Sequence, residues 1–519
     1  MSGLVASTRA VLDRALVAYA GDPAAAAVLT AHRERLDGPL RVALAGTLKA
    51  GKSTLLNALV GEQIAPTGTA ECTRVVTTYR DAPSARIVVE HRDGTPPAEL
   101  PVVHRRGALV IDLATPTERV RSLRVDWPSA SLRAVSLIDT PGVDSARPGV
   151  AGRARAFLGA ADPTAPAEGA DLAAVLGAAP GDGADVVLHL VRHLHGADVA
   201  FAETVGERAA RGIGPAGTIA VLSRADEIGG GRLDALVTAR QVARRYRADP
   251  GLRRWCRTVV PVAGLLAETA RTLRAAEFAA VRDLAAGARA DVEDLLLSVD
   301  RFLDGRLPAG VPEIDRRARR ALLDRFGLHG LRLATTLVRR GAGDSASLAD
   351  ELVRRSGLEE LRAVVGTQLV AHGDVFRARA ALGALERVLR AVPDPRTGGE
   401  AAASELAGAV ERVLTGAHEF VEQDALVALH TRAPADDRGE LDEARRLLGG
   451  DGPAPVARLG APPDAAPADV RGLALDALTR WRRATEDPRA DRARTDVARV
   501  VVRSVEGILA AVPAEPALR

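Results

Sequence analysis

The sequence predicts a doubly wound α/β head on a mixed sheet, joined to an elongated all-α helical bundle. Three observations carry this. Gly46-x-x-x-x-Gly51-Lys52-Ser53 lies between a short apolar run and a helical pattern, the setting of a phosphate-binding loop. From Pro39 to about Ala267 short β-rich runs alternate with helical ones, as a sheet covered on both faces requires. After Leu265 the β-rich runs stop and helical periodicity continues. The organisation expected is N-terminal helices over 1–37 joining the helical part, a nucleotide domain over 38–267, and an elongated helical bundle over 268–519.

Composition agrees with this division. A chain of 519 residues suits two or more domains, and 47% apolar content with 3% aromatics leaves packing to Leu, Val and Ala. Of 70 basic residues only Lys49 and Lys52 are lysines, and both lie in the loop. A compact ammonium is retained where a planar guanidinium fork does not fit. The net charge of +3 makes no case for nucleic acid. Cys72 and Cys256 form neither a disulfide framework nor a metal spacing. Charges interrupt the first apolar run, and no stretch reaches ~18 uncharged apolar residues, so neither a signal peptide nor a transmembrane helix is expected.

In chain order, 3–20 and 24–36 read as amphipathic helices. Strands follow at 42–45, 74–79, 87–90, 120–125, 134–139, 186–191, 219–223 and 258–262. Pro/Gly punctuation at 305–312, 341–344, 392–399 and 449–468 divides the helical part. The segment 345–391, if continuous, would span about 70 Å, with Gly366, Gly373 and Gly383 as candidate bends.

The loop Gly46, Lys49, Ala50, Gly51, Lys52, Ser53 and Thr54 would wrap phosphate oxygens in backbone N–H groups. Lys52 would reach the β- and γ-phosphates and Ser53 would ligate Mg2+. A threonine-rich stretch follows the loop helix. There Thr73, just before a strand, is the candidate switch residue closing over the γ-phosphate and Mg2+, with Thr69 as the alternative. Asp139-Thr140-Pro141-Gly142 ends an apolar strand, placing Asp139 toward Mg2+ through water and the Gly142 amide toward the γ-phosphate. In Ser223-Arg224-Ala225-Asp226, Asp226 can accept from guanine N1 and N2 while Arg224 lies over the base. Adenine lacks those donors, so Asp226 favours GTP and GDP over ATP. The backbone of Val262 and Ala263 is either a reader of guanine O6 or part of a plain core strand.

These strings, GTLKAGKSTLLNALVGE, PTGTAECT, LIDTPGVDS, LVRHLHGADVAF and LSRADEIGGGRLDAL, together with helical strings such as LLDRFGLHGLRLA and LTRWRRATEDP, resemble the actinobacterial dynamin-like GTPases, the group of isoniazid-inducible proteins. The resemblance covers nearly the whole chain. It implies a P-loop GTPase head, a neck and a trunk, with hydrolysis of GTP to GDP coupled to pairing of heads as a homodimer and to membrane remodelling. It also implies a cytoplasmic protein, peripheral at the inner face of the plasma membrane on anionic lipid, and possible dependence on a second dynamin-like partner. The alternative is a regulatory GTPase switch whose helical domain binds a protein.

Where the eukaryotic dynamin pattern has a Gln-Ser pair, this chain has Leu48-Lys49. Leu48 cannot orient water by hydrogen bonding, so Thr73, backbone groups or a partner head must do so. Lys49 either supplies charge near the β–γ bridge or serves in an ion pair or in solvent. Arg316, Arg317, Arg319, Arg320 and Arg325, interleaved with Leu322, Leu323 and Phe326, either meet anionic lipid or pack their leucines into a bundle. His189, His193 and His195 read as a strand-to-helix transition with one capping histidine rather than as a metal site.

Overall fold

Residues Leu40–Gly46 form strand β1, and all but Arg41 are buried with no alternation between faces. Such a strand needs cover on both sides, and β1 accordingly takes an interior place in the sheet. The computed structural model describes residues 3–67, 75–105, 107–113, 115–141, 183–192, 215–393, 399–432 and 438–512. Along these, β2 is Val76–Asp81, β3 Arg86–His91, β4 Ala98–Leu100, β5 Val103–Arg105, β6 Ala108–Val110 and β7 Val120–Trp127. β8 is Val135–Asp139, β9 Val186–Val191, β10 Thr218–Ser223 and β11 Thr258–Val262.

Nine strands form one sheet in the order β11-β10-β9-β1-β8-β2-β7-β3-β4, and β5 pairs with β6 separately. β8, β1, β9, β10 and β11 run parallel. β2 runs against β8 and beside β7, and β3 turns back along β7. The sheet is therefore mixed, and all eight strands expected from the sequence are present. Missing from that reading were β4, β5 and β6, three residues each and largely exposed in β4 and β5, too short to show a period.

Helix Lys52–Val60 follows β1. Helices Ala235–Ala248 and Gly264–Arg271 follow β10 and β11. The sheet's core gathers Leu44, Leu56, Tyr79, Val125, Leu188 and Val221, and it also takes in Leu361, Leu369 and Phe376 from the helical part.

The helical part closes three further cores. Helices Ala275–Ala286, Arg316–Arg339 and Ser345–Arg354 enclose Phe302, Phe326, Leu331 and Leu348 with Ala225 and Leu266 of the head. Helices Gly3–Ala18 and Pro23–Arg35 pack on Gly373–Ala391 and Gly399–Gly416 around Leu12, Leu29, Leu382 and Leu385. Helices His418–Arg432, Pro467–Thr485 and Arg492–Ala511 enclose Trp481, Val501 and Val505.

The stretch 345–391 is not one continuous helix. It breaks at Gly357, whose φ is 81°, and again at Val370–His372. Gly366 and Gly383 sit inside helices, where an unbroken hydrogen-bond ladder tolerates them. The basic run is built into the protein. Leu322, Leu323 and Phe326 are buried, so they are not available to lipid. Arg319 donates to the carbonyls of Phe302, Gly305 and Ile314, Arg325 pairs with Glu277 at 2.8 Å, and Arg316 pairs with Asp304 at 2.7 Å. Among the described residues no helix is long and apolar enough to cross a membrane. Residues 394–398, 142–182 and 193–214 lie outside the described residues.

Candidate functional site

The loop between β1 and its helix is shaped by three positive φ angles. Gly46 has φ 148°, and a Cβ there would stand 2.6 Å from the Leu190 carbonyl oxygen on the neighbouring strand β9. Only glycine fits so close a backbone approach. Lys49 has φ 62° and Gly51 φ 94°, the latter at the N-cap of the helix beginning at Lys52. This left-handed pair turns the chain tightly and leaves the first N–H groups of the helix facing the loop, a ready anion cradle. Ala50 is buried, while Leu48 and Lys49 project, Leu48 with 59% of its surface exposed.

Lys52 is buried, and its Nζ donates to the carbonyls of Gly46 and Thr47, each at 3.1 Å. Ser53 Oγ donates to Asp139 Oδ2 at 2.6 Å. Asp139 ends β8 in register with Leu44 of β1, which is how a residue 86 positions away reaches the loop. Burial pushes the Asp139 carboxyl above its ordinary range, opposed by Lys52 and by the Ser53 hydrogen bond. A hydroxyl and a carboxylate side by side are the hard oxygen donors Mg2+ prefers, so the residues present fit that ion. Thr140 was given no role in the sequence reading. It is buried and its Oγ1 donates to the Leu44 carbonyl at 2.8 Å, tying the strand end to β1.

His189 is buried in β9, its ring centroid 5.3 Å from that of Trp255. Burial first, and Lys52 second, lower its pKa to about 4, so it is neutral at physiological pH. It sits within the strand rather than capping a helix. No cluster of three or more metal-ligating side chains occurs among the described residues.

On the base side, Ser223 Oγ donates to the Val191 carbonyl at 3.1 Å, locking the end of β10 to β9. Arg224 has φ 52°. Its Nη1 donates to Glu227 at 2.6 Å and its Nη2 to the Lys49 carbonyl at 3.2 Å. The guanidinium thus ties the Ser223–Asp226 loop to the Gly46–Lys52 loop. Asp226 is half-buried, and its carboxyl is raised mainly by burial, with His329 and Arg224 acting in the opposite direction. Val262 accepts from the Ala225 N–H at 3.2 Å. The Ala263 N–H, one candidate reader of guanine O6, instead donates to the Ser356 carbonyl at 2.8 Å. It points to the outer edge of β11, because alternate residues of a strand turn their amides to opposite sides. The structure thus brings Gly46, Lys49, Ala50, Gly51, Lys52, Ser53, Thr54, Asp139, Ser223, Arg224 and Asp226 to one end of the parallel strands. Thr69, Thr73 and Gly142 lie outside the described residues.

A family model described as "Dynamin family" matches residues 42–162. The chain is 39% identical over 512 residues, 97% of both chains, to isoniazid-induced protein IniC of Mycobacterium tuberculosis. It is 40% identical over 129 residues to isoniazid-induced protein IniA of the same organism, covering 22% of this chain and 19% of that one. A bacterial dynamin-like protein of Nostoc punctiforme is 27% identical over 128 residues, covering 22% of this chain and 18% of that one. A solved structure of an oligomerised bacterial dynamin pair aligns with 98% of this chain and 80% of its own at TM-score 0.32 and 13% identity. Identity sustained over 97% of both chains reaches past the nucleotide loops through the helical cores, and on that ground the chain belongs to the bacterial dynamin-like branch of the dynamin GTPase family.

Proposed function

We infer that this chain hydrolyses GTP to GDP and phosphate and uses the cycle to pair its heads and remodel a membrane from its surface. One observation carries the nucleotide part: the Ser53–Asp139 contact at 2.6 Å lies at the foot of a loop to which Arg224 ties the Asp226 segment. Groups for phosphate, metal and base would therefore share one end of the parallel strands. Backbone amides from Ala50 to Thr54 would bind the phosphates, and Lys52 would leave its two carbonyl partners for the β- and γ-oxygens. Ser53, Thr73 and Asp139 would hold Mg2+, which when bound neutralises charge between those phosphates. The Gly142 amide would meet the γ-phosphate.

Asp226 would read the guanine N1 and N2 edge. Leu48 offers no hydrogen bond to water, so orientation of the attacking water falls to Thr73, backbone groups or a second head, and Lys49 would add charge at the β–γ bridge. The helical region, larger than a simple switch needs, supports mechanical output, with a second dynamin-like protein and anionic lipid as its partners.

The test is Mg2+-dependent hydrolysis of GTP against ATP, with and without anionic liposomes, using Lys52→Ala as the blank. GTP-selective turnover that rises with lipid or protein concentration is the expected result. Selective turnover indifferent to both would favour a regulatory switch acting on a protein. Equal turnover of GTP and ATP would overturn the base assignment.

A further inference from the structure

Both loops on the base side of the site are held by residues from the helical part, more than 90 positions away in sequence. The segment after Asp226 contains Gly229, Gly230 and Gly231, with φ of 72°, 77° and 69°. Three successive left-handed residues make a turn that only glycine adopts without cost. Nothing within such a turn holds it in one place, since glycine carries no side chain and orders at the highest entropic cost. The hold comes from outside. Helix Arg316–Arg339 presents His329, whose Nδ1 lies 3.3 Å from the Gly231 carbonyl oxygen.

One turn further, Arg332 donates to that same carbonyl at 3.3 Å and to the carbonyls of Leu296 and Leu297 at 2.9 and 3.1 Å. A guanidinium spread over three carbonyls fixes their separation in a way a lysine cannot. A Cβ on Gly231 would stand 3.7 Å from the Asp226 carbonyl oxygen, so the clamped residue lies beside the backbone of Asp226. The second loop is treated alike. The turn Ser356–Gly357 covers the free edge of β11, Ser356 accepting from the Ala263 N–H and Gly357 packed against the Pro261 carbonyl. Pro261 has no N–H to leave open at that edge.

We propose that the helical part completes the base pocket: His329 and Arg332 are positioning residues for Asp226, and the Ser356–Gly357 turn is one for the β11 exit. This rests on the reading of Asp226 as the guanine-binding carboxylate. It makes base affinity, rather than phosphate contacts alone, the quantity that movement of these helices alters.

The experiment measures equilibrium binding of GDP and IDP to the full chain. Inosine lacks the 2-amino group, so the ratio of the two dissociation constants reports the second hydrogen bond of Asp226. The wild type should favour GDP by about tenfold or more, the worth of a hydrogen bond to a charged group. In Arg332→Gln the ratio should fall to about threefold or less, with affinity for inorganic triphosphate unchanged. Arg325→Gln, which breaks a half-buried pair with Glu277 before the kink at Gly327 and away from the base loop, should keep the wild-type ratio whatever it does to stability. Where Arg332→Gln does not fold, His329→Leu removes a single contact and serves instead.

A wild-type ratio preserved in both His329→Leu and Arg332→Gln would overturn the positioning role. A wild type without preference between GDP and IDP would instead overturn the assignment of Asp226, so the two failures are distinguishable.

Discussion

Gly357→Ala tests whether the helical part is packed onto β11 as tightly as its backbone indicates. The residue has φ 81° and ψ 1° at the start of helix Leu358–Gln368. An alanine there costs about 1–3 kcal/mol for the left-handed backbone alone. Its Cβ would also lie 2.2 Å from the Pro261 carbonyl oxygen. Restoring an ordinary contact near 3.4 Å drives the turn and the strand apart by roughly 1.2 Å. That stretches the 2.8 Å bond between the Ala263 N–H and the Ser356 carbonyl beyond hydrogen-bonding distance. Loss of this bond adds about 1 kcal/mol.

The total is about 2–4 kcal/mol, which for a unit of head size lowers Tm by about 4–16 °C. Calorimetry on the full chain reads the shift, since its several cores need not unfold together. Gly366→Ala is the internal control. That glycine is exposed within the same helix with nothing within 4 Å of an added Cβ, so the change should stabilise by about 0.5–1 kcal/mol. A Gly357→Ala protein melting within about 2 °C of the wild type would refute the close packing of the turn on β11.

Asp226→Asn should weaken GTP binding by about 10–100-fold and shift preference to xanthosine triphosphate, whose 2-oxo group accepts from the new amide; competition binding checks both. Asp139→Asn should lower Mg2+-dependent turnover by about 100-fold while raising the stability of the nucleotide-free protein at neutral pH. The sign follows from burial. Burial raises the folded-state pKa of Asp139 above that of a carboxyl in the unfolded chain, so stability contributed by the protonated form is present below the unfolded pKa and is lost as pH rises through the folded pKa. The melting difference between variant and wild type should therefore grow with pH across this window; a flat difference would mean the carboxyl is not penalised by burial. Lys49→Ala should reduce kcat at saturating GTP by about 100-fold or more if its charge acts on the β–γ bridge, and an unchanged kcat removes Lys49 from catalysis.

Local chemistry made much of the head legible in the chain itself. A phosphate loop needs glycines at fixed offsets and a lysine, so Gly46, Gly51 and Lys52 announce themselves among arginines. Central parallel strands are apolar on both faces, so β1, β9 and β10 stand out without any alignment. Asp139 and Asp226 drew notice because the first ends an apolar run and the second lies three residues past one. Short exposed β4 and β5 carry no periodic signal, and the breaks at Gly357 and Leu369 look no different in sequence from Gly366 inside a helix.

What only the tertiary structure decided is where the long-range partners fall. Whether Leu322 and Phe326 face lipid or a core depends on what packs above them, and the answer is helix Ala275–Ala286 and the head. Whether the Ala263 amide reads a base depends on which edge of β11 it faces and on Ser356, 93 positions later, taking the bond. His329 and Arg332 lie on an amphipathic helix that gives no hint of a role beside Asp226. A sequence records the residues that a local geometry demands, whereas a hydrogen bond across a hundred residues exists only once the chain has closed on itself.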